Sequence, residues 1–592
     1  MKDFLKFTLA SVSGIVITLI LFCIIGVCSI VGMLASEQAT TQIEDNSVLV
    51  LSLDGALDER NGSIDFMGYV RGEQTVQIGL DDILTAIDKA KDNDNIKGIY
   101  IEEGMFSPDG VASVQAIRNK LEEFRKSGKW IVAYGDQYTQ MGYYIASVAD
   151  KIFINPEGMV DWHGLAAAPM FLKDALAKFG VKVQLSKVGK YKSAPEMLTA
   201  DKMSDANREQ VSAYINGIWN VMLDDVSKSR NISKGELNVL ADNFAALSGT
   251  KEYVKHKLVD KTLYYDEVKG EIRKLLKIGA NDDVTQVSVE EMLCAKDVKR
   301  KEGDEVAVYY CFGDVVDGDG AKDGSSSIAS GKVCRDLAKL ADDDDVKAVV
   351  LRINSGGGSA YASEQICHYV SRLAAQKPVV VSMGSMAASG AYYISAPANY
   401  IFAEPTTLTG SIGIFGMFPD YSGLLTDKLG VKFDEVKTNK HSAFGTRARP
   451  FNEEEMSLLN NYIERGYKLF RLRVAEGRNM KVEEVEKIAQ GRVWLGSDAL
   501  KVKLVDELGG MDKAIAKAAK LAKLEEYHTN AYPAKKSTWD ALLDMVSEEH
   551  GNYLDNQLRS TLGEYYAPFM YLRNLNKQSA IQARIPFELN IK

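Results

Sequence analysis

The longest apolar stretch of the chain comes first: Phe7 to Ala35 is 29 residues without a formal charge, rich in Ile, Val and Leu. About 20 such residues cross a bilayer as a helix. A cleaved signal peptide has a shorter apolar region ending in a small-x-small site. Here the run is longer, and Met33-Leu34-Ala35-Ser36 is a weak cleavage site. Val27 before Cys28 also departs from the small residue that a lipoprotein signal places there. Lys2 and Lys6 precede the run and Glu37 and Glu44 follow it, so the positive-inside rule leaves residues 1–6 in the cytoplasm. The pattern predicts one anchor over 7–35 carrying a large exported body.

Beyond the anchor the pattern changes to short β-branched runs alternating with helical spacing. In the second half, Val306–Cys311 reads as a strand, Ser330–Ala341 as a helix and Val346–Ile353 as a strand. A helix through Ala362–Ala375, a strand at Val379–Ser382 and a helix beginning over Ala388–Ala396 follow. Such alternation argues for parallel βαβ units. The acidic run Asp342–Asp345, with a milder counterpart at Asp92–Asp94, falls in a helix-to-strand connection and reads as a solvated turn.

The pattern also occurs twice. Asp94-Asn95-Ile96-Lys97-Gly98-Ile99-Tyr100-Ile101 resembles Asp344-Asp345-Val346-Lys347-Ala348-Val349-Val350-Leu351 at an offset of 250. Phe179-Gly180-Val181-Lys182 matches Leu429-Gly430-Val431-Lys432 at 250, and Tyr143-Tyr144-Ile145 matches Tyr392-Tyr393-Ile394 at 249. Lys257-Leu258-Val259-Asp260 matches Lys503-Leu504-Val505-Asp506 at 246. Ordered matches with slowly drifting offsets indicate tandem duplication, at a period too long for a solenoid. The reading is an N-terminal repeat over 46–300, a C-terminal repeat over 301–525 and a tail over 526–592 that fits neither. The tail's aromatic end (Tyr565, Tyr566, Phe569, Tyr571) suits a contact with a partner subunit.

Composition narrows the function. The chain is 46% apolar and 26% charged with 12 Pro, a folded rather than disordered protein. A net charge of −10 disfavours nucleic acid as a partner. Six Cys, two of them (Cys23 and Cys28) in the first apolar run and four widely scattered, without a CxxC or Cys/His cluster, predict buried free thiols and no metal site.

Three stretches of the second repeat carry candidate chemistry. Asn354-Ser355-Gly356-Gly357-Gly358-Ser359 places a glycine loop after a strand, where backbone N–H groups suit a phosphate or an oxyanion. Ser359-Ala360-Tyr361 lacks the Lys-Ser/Thr continuation of a phosphate loop. Ser382-Met383-Gly384-Ser385-Met386-Ala387-Ala388-Ser389-Gly390-Ala391 runs a strand through a small-residue turn that lets a substrate approach Ser389. Gly410-Ser411-Ile412-Gly413 is the third. The first repeat offers Gly189-Lys190-Tyr191-Lys192-Ser193-Ala194-Pro195-Glu196. Aligned across repeats, Ser389 falls on Gln140 (389 − 249) and Lys192 on Ser442 (192 + 250), while the glycine loop degenerates to Glu103-Gly104-Met105-Phe106-Ser107-Pro108. Each half keeps what the other lacks, as expected of one composite site.

With these motifs the chain resembles the signal peptide peptidase A (protease IV) family in its long, double-length form, over about residues 1–525. The resemblance implies an α/β fold of tandem duplicated Clp/crotonase-like ββα-spiral domains behind one N-terminal transmembrane helix. It implies Lys192, within Tyr191-Lys192-Ser193-Ala194, as general base and Ser389, within Met386-Ala387-Ala388-Ser389-Gly390, as nucleophile. Gly358 and Gly390 match the oxyanion-hole backbone positions, and Ser411 matches the hydroxyl that hydrogen-bonds the lysine. Gly356 stands where the family usually has proline, which makes the loop less stiff. The resemblance further implies a homotetramer in the inner membrane, with the lipid bilayer engaged through 7–35, acting on cleaved signal peptides without a cofactor.

The residue types define a mechanism: a neutral lysine deprotonates the serine, which attacks the scissile carbonyl. A free lysine has a pKa of about 10.4, so a base working near neutrality must be desolvated. Lys187 and Lys190 are expected to add a smaller like-charge push if close. Three alternatives compete: a Ser-His hydrolase using His368 or His441, a crotonase-type acyl-CoA enzyme, whose substrate is cytoplasmic, and an inactive tethered scaffold.

Overall fold

The computed structural model describes residues 13–14, 17–18, 41–60, 77–296, 303–320, 326–535 and 581–584. The expected cytoplasmic tail and the anchor over 7–35 therefore lie outside the described residues, apart from four helical positions. Among the described residues no helix is long and apolar enough to cross a membrane.

The duplication is visible as two parallel sheets built in the same order. In the first, strands Ser47–Asp58, Ile96–Ser107, Trp130–Tyr138 and Lys151–Val160 pair in parallel with their successors. In the second, Asp304–Phe312, Val346–Ser355 and Val379–Ala388 do the same, and Tyr400–Ala403 follows. Helices cover these strands, so the strands read as continuous apolar runs; Ala348 to Arg352 are all buried. The crossover helix Ser330–Asp342 buries Val333, Leu337, Leu340 and Ala341, one face of a 3.6-residue period. It ends where Asp343 turns extended, and Lys377 Nζ donates to the Leu340 carbonyl 2.8 Å away, so the acidic run is a turn.

One boundary differs by more than two residues from the sequence expectation. The strand beginning at Val379 continues to Ala388, and the next helix is only Gly390–Ser395. Small residues with little strand preference stay extended because Met386–Ala388 pairs with Leu408–Gly410. Distant pairing has overridden local propensity. Of the four described cysteines, Cys311, Cys334 and Cys367 are buried free thiols, whereas Cys294 is exposed at the end of helix Val289–Cys294.

The repeats interlock. Ala388, Leu408, Val493 and Leu495 of the second repeat pack into the apolar core of the first. Arg352 makes a buried two-bond ion pair with Glu59, Nε to Oε2 at 2.8 Å and Nη2 to Oε1 at 2.9 Å. A third, mixed sheet joins the halves: Lys182–Lys187 runs antiparallel to Phe415–Asp420. The chain beyond 525 also contributes. Tyr527–Tyr532 adds a parallel strand beside Asp304–Tyr309, and Ile581–Arg584 enters the third sheet between Gly357–Ser359 and Phe415–Gly416. The aromatic cluster at Tyr565–Tyr571 lies outside the described residues.

Candidate active site

Ser389 sits between the end of strand Val379–Ala388 and helix Gly390–Ser395, at φ 57°, ψ −112°. A side-chain-bearing residue in such a region stores roughly 1–3 kcal/mol of strain unless its surroundings hold it. Here they do: the Ser389 N–H donates to the Gly410 carbonyl at 2.8 Å, and the Tyr393 N–H donates to the Ser389 carbonyl at 2.8 Å. The flanking Ala387, Ala388, Gly390 and Ala391 are small enough for the turn to be buried, and Ser389 itself is 0% exposed.

Lys192 reaches this serine from the other repeat. The strand Lys182–Lys187 delivers it by pairing with Phe415–Asp420, and the Tyr191 N–H donates to the Gln490 carbonyl at 2.9 Å. Gln210, on helix Asp205–Arg230, clamps the segment: its Nε2 donates to the Tyr191 carbonyl at 3.0 Å and to Ser193 Oγ at 2.9 Å. Its Oε1 accepts the Val493 N–H at 3.1 Å, tying the lysine loop to the second repeat. Two glycines make room. A Cβ on Gly491 would stand 2.6 Å from Lys192 Cβ, and one on Gly413 would stand 3.2 Å from Lys192 Cδ.

Lys192 Nζ then lies 2.6 Å from Ser389 Oγ, 3.1 Å from Ser411 Oγ and 3.3 Å from the Ser411 carbonyl oxygen. The Phe415 ring centroid is 5.8 Å away. Burial drives the Lys192 pKa well below the ordinary lysine value. It is the sole cause, so the expected push from Lys187 and Lys190 is absent: both are exposed, and Lys190 lies over the Tyr191 ring at 5.0 Å. A neutral amine held against a hydroxyl is competent to take its proton.

The glycine loop closes the other side. Gly358 lies in the short strand Gly357–Ser359, and a Cβ there would fall 2.1 Å from the Val315 carbonyl oxygen. The point where Gly390 would carry a Cβ is 3.1 Å from the Gly358 nitrogen, so both backbone positions named from sequence meet beside Ser389. The first repeat props this loop: Asn354 Nδ2 donates to Asp109 Oδ2 at 2.6 Å, while Asn354 Oδ1 accepts the Met386 N–H at 3.0 Å. Gly491, Gln490, Gln210 and Asp109 are supporting residues that sequence reasoning missed; each acts across a gap in sequence too long for any local motif.

The equivalent place in the first repeat is filled. Gln140 Oε1 accepts the His163 and Gly164 N–H groups at 3.0 and 2.9 Å, holding a loop. Glu103 occupies the space over Gly142, where a Cβ would fall 1.5 Å from its Oε1, and burial pushes its carboxyl well above the usual range. Among the described residues no histidine hydrogen-bonds Ser389 or Lys192. His368 is exposed on helix Ala360–Ala374, and His441 lies 3.7 Å from Glu454.

Comparison with known proteins agrees with a protease. Peptidase family S49 matches residues 123–279 and 371–525, one block in each repeat. Protease 4 of Salmonella typhi is 39% identical over 473 residues, 79% of this chain and 76% of that one. Protease 4 of Haemophilus influenzae is 35% identical over 517 residues, 83% of this chain and 82% of that one. A relative named Serine protease SPPA, chloroplastic, from Arabidopsis thaliana is 30% identical over 494 residues, 82% of this chain and 70% of that one.

Proposed function

The chain belongs to peptidase family S49 and is a protease, and from that premise we propose that it is a membrane-anchored serine endopeptidase with a Ser-Lys dyad. Ser389 is the nucleophile and Lys192 its general base. The observation that carries this is the 2.6 Å contact between Lys192 Nζ and Ser389 Oγ, in a site whose burial lowers the lysine pKa. Lys192 takes the hydroxyl proton as Ser389 Oγ bonds to the scissile carbonyl carbon. The Gly358 and Gly390 backbone N–H groups receive the developing oxyanion, a contribution of roughly 3–4 kcal/mol per donor. Protonated Lys192 returns its proton to the leaving amine, and water releases the acyl group from the serine by the reverse relay. Ser411 positions Lys192, accepting at 3.1 Å through Oγ.

The substrates are short or unfolded peptides, foremost signal peptides already cut from their proteins. Residues 7–35 anchor the chain in the inner membrane with the body on the outer face, and the working form is a homotetramer. The uncharged Phe7–Ala35 run and the lysines before it support this placement.

The test is hydrolysis of an apolar fluorogenic peptide. kcat/KM is expected to rise along one limb as pH passes the lowered lysine pKa. Lys192→Arg is expected to be inactive, because guanidinium stays protonated at any working pH. Substantial activity in that variant would redirect the reading to another base.

A further inference from the structure

The strand that delivers Ser389 slips register just before it arrives. Against Val346–Ser355 its pairing runs from Val349↔Val379 to Ile353↔Met383, a spacing of 30, and resumes at Ser355↔Ala387, a spacing of 32. Gly384, Ser385 and Met386 therefore stand opposite Asn354 alone, in a bulge with two extra residues. A bulge bends its strand, re-aims the side chains beyond it and leaves backbone groups without ladder partners. Much of what holds this one is anchored in the first repeat. Arg352 and Asn354, two apart on one strand, point to the same face. Arg352 Nη1 donates to Ser382 Oγ at 3.1 Å and to the Met383 carbonyl at 3.0 Å, while Glu59 grips its Nε and Nη2. Asn354 Oδ1 accepts the Met386 N–H, and its Nδ2 donates to Asp109. Gly384 lets both arms close in: a Cβ there would stand 2.6 Å from Glu59 Oε1 and 2.8 Å from Asn354 Cβ. Ser385 Oγ accepts the Ser113 N–H at 3.2 Å, and a Cβ on Gly110 would fall 2.6 Å from Ser385 Cβ. A buried ion pair adds little stability over apolar residues of the same volume, so stability alone does not account for Glu59 and Arg352 at this place.

We propose that Glu59 and Asp109 of the first repeat are positioning residues for Ser389: through Arg352 and Asn354 they lock the bulge that sets the serine against Lys192. The proposal rests on the Ser-Lys reading above and gives the first repeat a second task beside supplying the lysine. Ser389 lies three residues beyond Met386 and is held at φ 57°, so a bulge that relaxes moves the hydroxyl away from the amine. Neither carboxylate touches the reacting atoms. Glu59 acts by fixing the guanidinium that receives the Met383 carbonyl, and Asp109 by orienting the amide that receives the Met386 N–H.

The experiment follows fluorophosphonate labelling of Ser389 in full-length chains, reading the rate and the final labelled fraction separately, beside kcat and KM on the fluorogenic peptide. A positioning role slows every site, whereas a merely structural role lowers the labelled fraction and leaves the surviving sites at the wild-type rate. Asp109→Ala, at an exposed residue, is expected to label completely but about 100-fold more slowly, the cost of a misplacement of about 1 Å, with kcat reduced and KM kept. Asp109→Asn keeps an acceptor for Asn354 Nδ2 and is expected to recover most of that rate. Removing Glu59 alone strands a buried guanidinium, so its arm is Glu59→Leu with Arg352→Met, an apolar pair that supports folding. That chain is expected to match the wild type in urea melts yet label slowly. The wild-type rate in the Asp109→Ala chain or in the apolar-pair chain overturns the proposal and leaves the dyad intact. So does an Asp109→Asn chain as slow as Asp109→Ala, or a loss confined to the labelled fraction. A wild-type chain that is not labelled at Ser389 overturns both readings.

Discussion

Gly491→Ala tests the lysine through a residue that touches nothing else in the reaction. The new methyl carbon would stand 2.6 Å from Lys192 Cβ and from its backbone nitrogen, and 2.7 Å from its Cα. Carbon contacts are comfortable at ~3.5–4.0 Å, so the lysine segment must retreat by about 1 Å. A misplacement of that size costs on the order of 100-fold in rate, or about 2.7 kcal/mol of transition-state stabilisation. Gly491 also has φ +78°, where alanine costs about 1–2 kcal/mol of stability for backbone reasons alone. Gly128→Ala isolates that second effect, because Gly128 has φ +86° with nothing within 4 Å of its Cβ point. Gly491→Ala should lose more stability than Gly128→Ala in urea melts, because its buried clash adds to the backbone strain the two share. Only Gly491→Ala should lose kcat/KM, by roughly 100-fold on the fluorogenic peptide. Equal activity in the two variants would refute the claim that Lys192 must sit where it does.

Two further outcomes follow from burial and charge pattern. Because the folded-state pKa of Lys192 is lowered, the unfolded chain binds its proton more readily across the window from that lowered value up to about 10.4. In that window the wild type should gain stability with rising pH, by about 1.4 kcal/mol per unit. Lys192→Met, which carries no proton, should therefore be more stable than wild type at acid pH, with an advantage that shrinks as pH climbs; a constant difference across pH would contradict the desolvated amine. For topology, protease added to spheroplasts should degrade the body, and protection equal to that of a cytoplasmic control would reverse the orientation drawn from Lys2, Lys6 and the 7–35 run.

The strand–helix order of each repeat was legible because buried parallel strands and one-faced helices leave strong local patterns, as in Val346–Ser355 and Ser330–Asp342. The complementary losses were legible too, since Gln140 and Glu103 stand where the second repeat has Ser389 and its glycine loop. Sequence proximity limited the rest. The strand through Ala388 extends because of a partner at Leu408–Gly410, and the pocket of Lys192 is shaped by Gly413 and Gly491 hundreds of positions away. Glycines of that kind look like ordinary turn residues until the side chain they accommodate is in place. The same holds for Ala583, an unremarked alanine in sequence that the sheet pairing sets beside Gly358.

Labelling by a fluorophosphonate, with the modified residue mapped by mass spectrometry, addresses the central claim most directly. The account predicts a single modified residue, Ser389, labelled fastest above the lowered Lys192 pKa and no longer labelled in a folded Lys192→Met chain. A label on any other residue, or undiminished labelling of Ser389 in the Lys192→Met chain, would contradict a serine activated by that lysine.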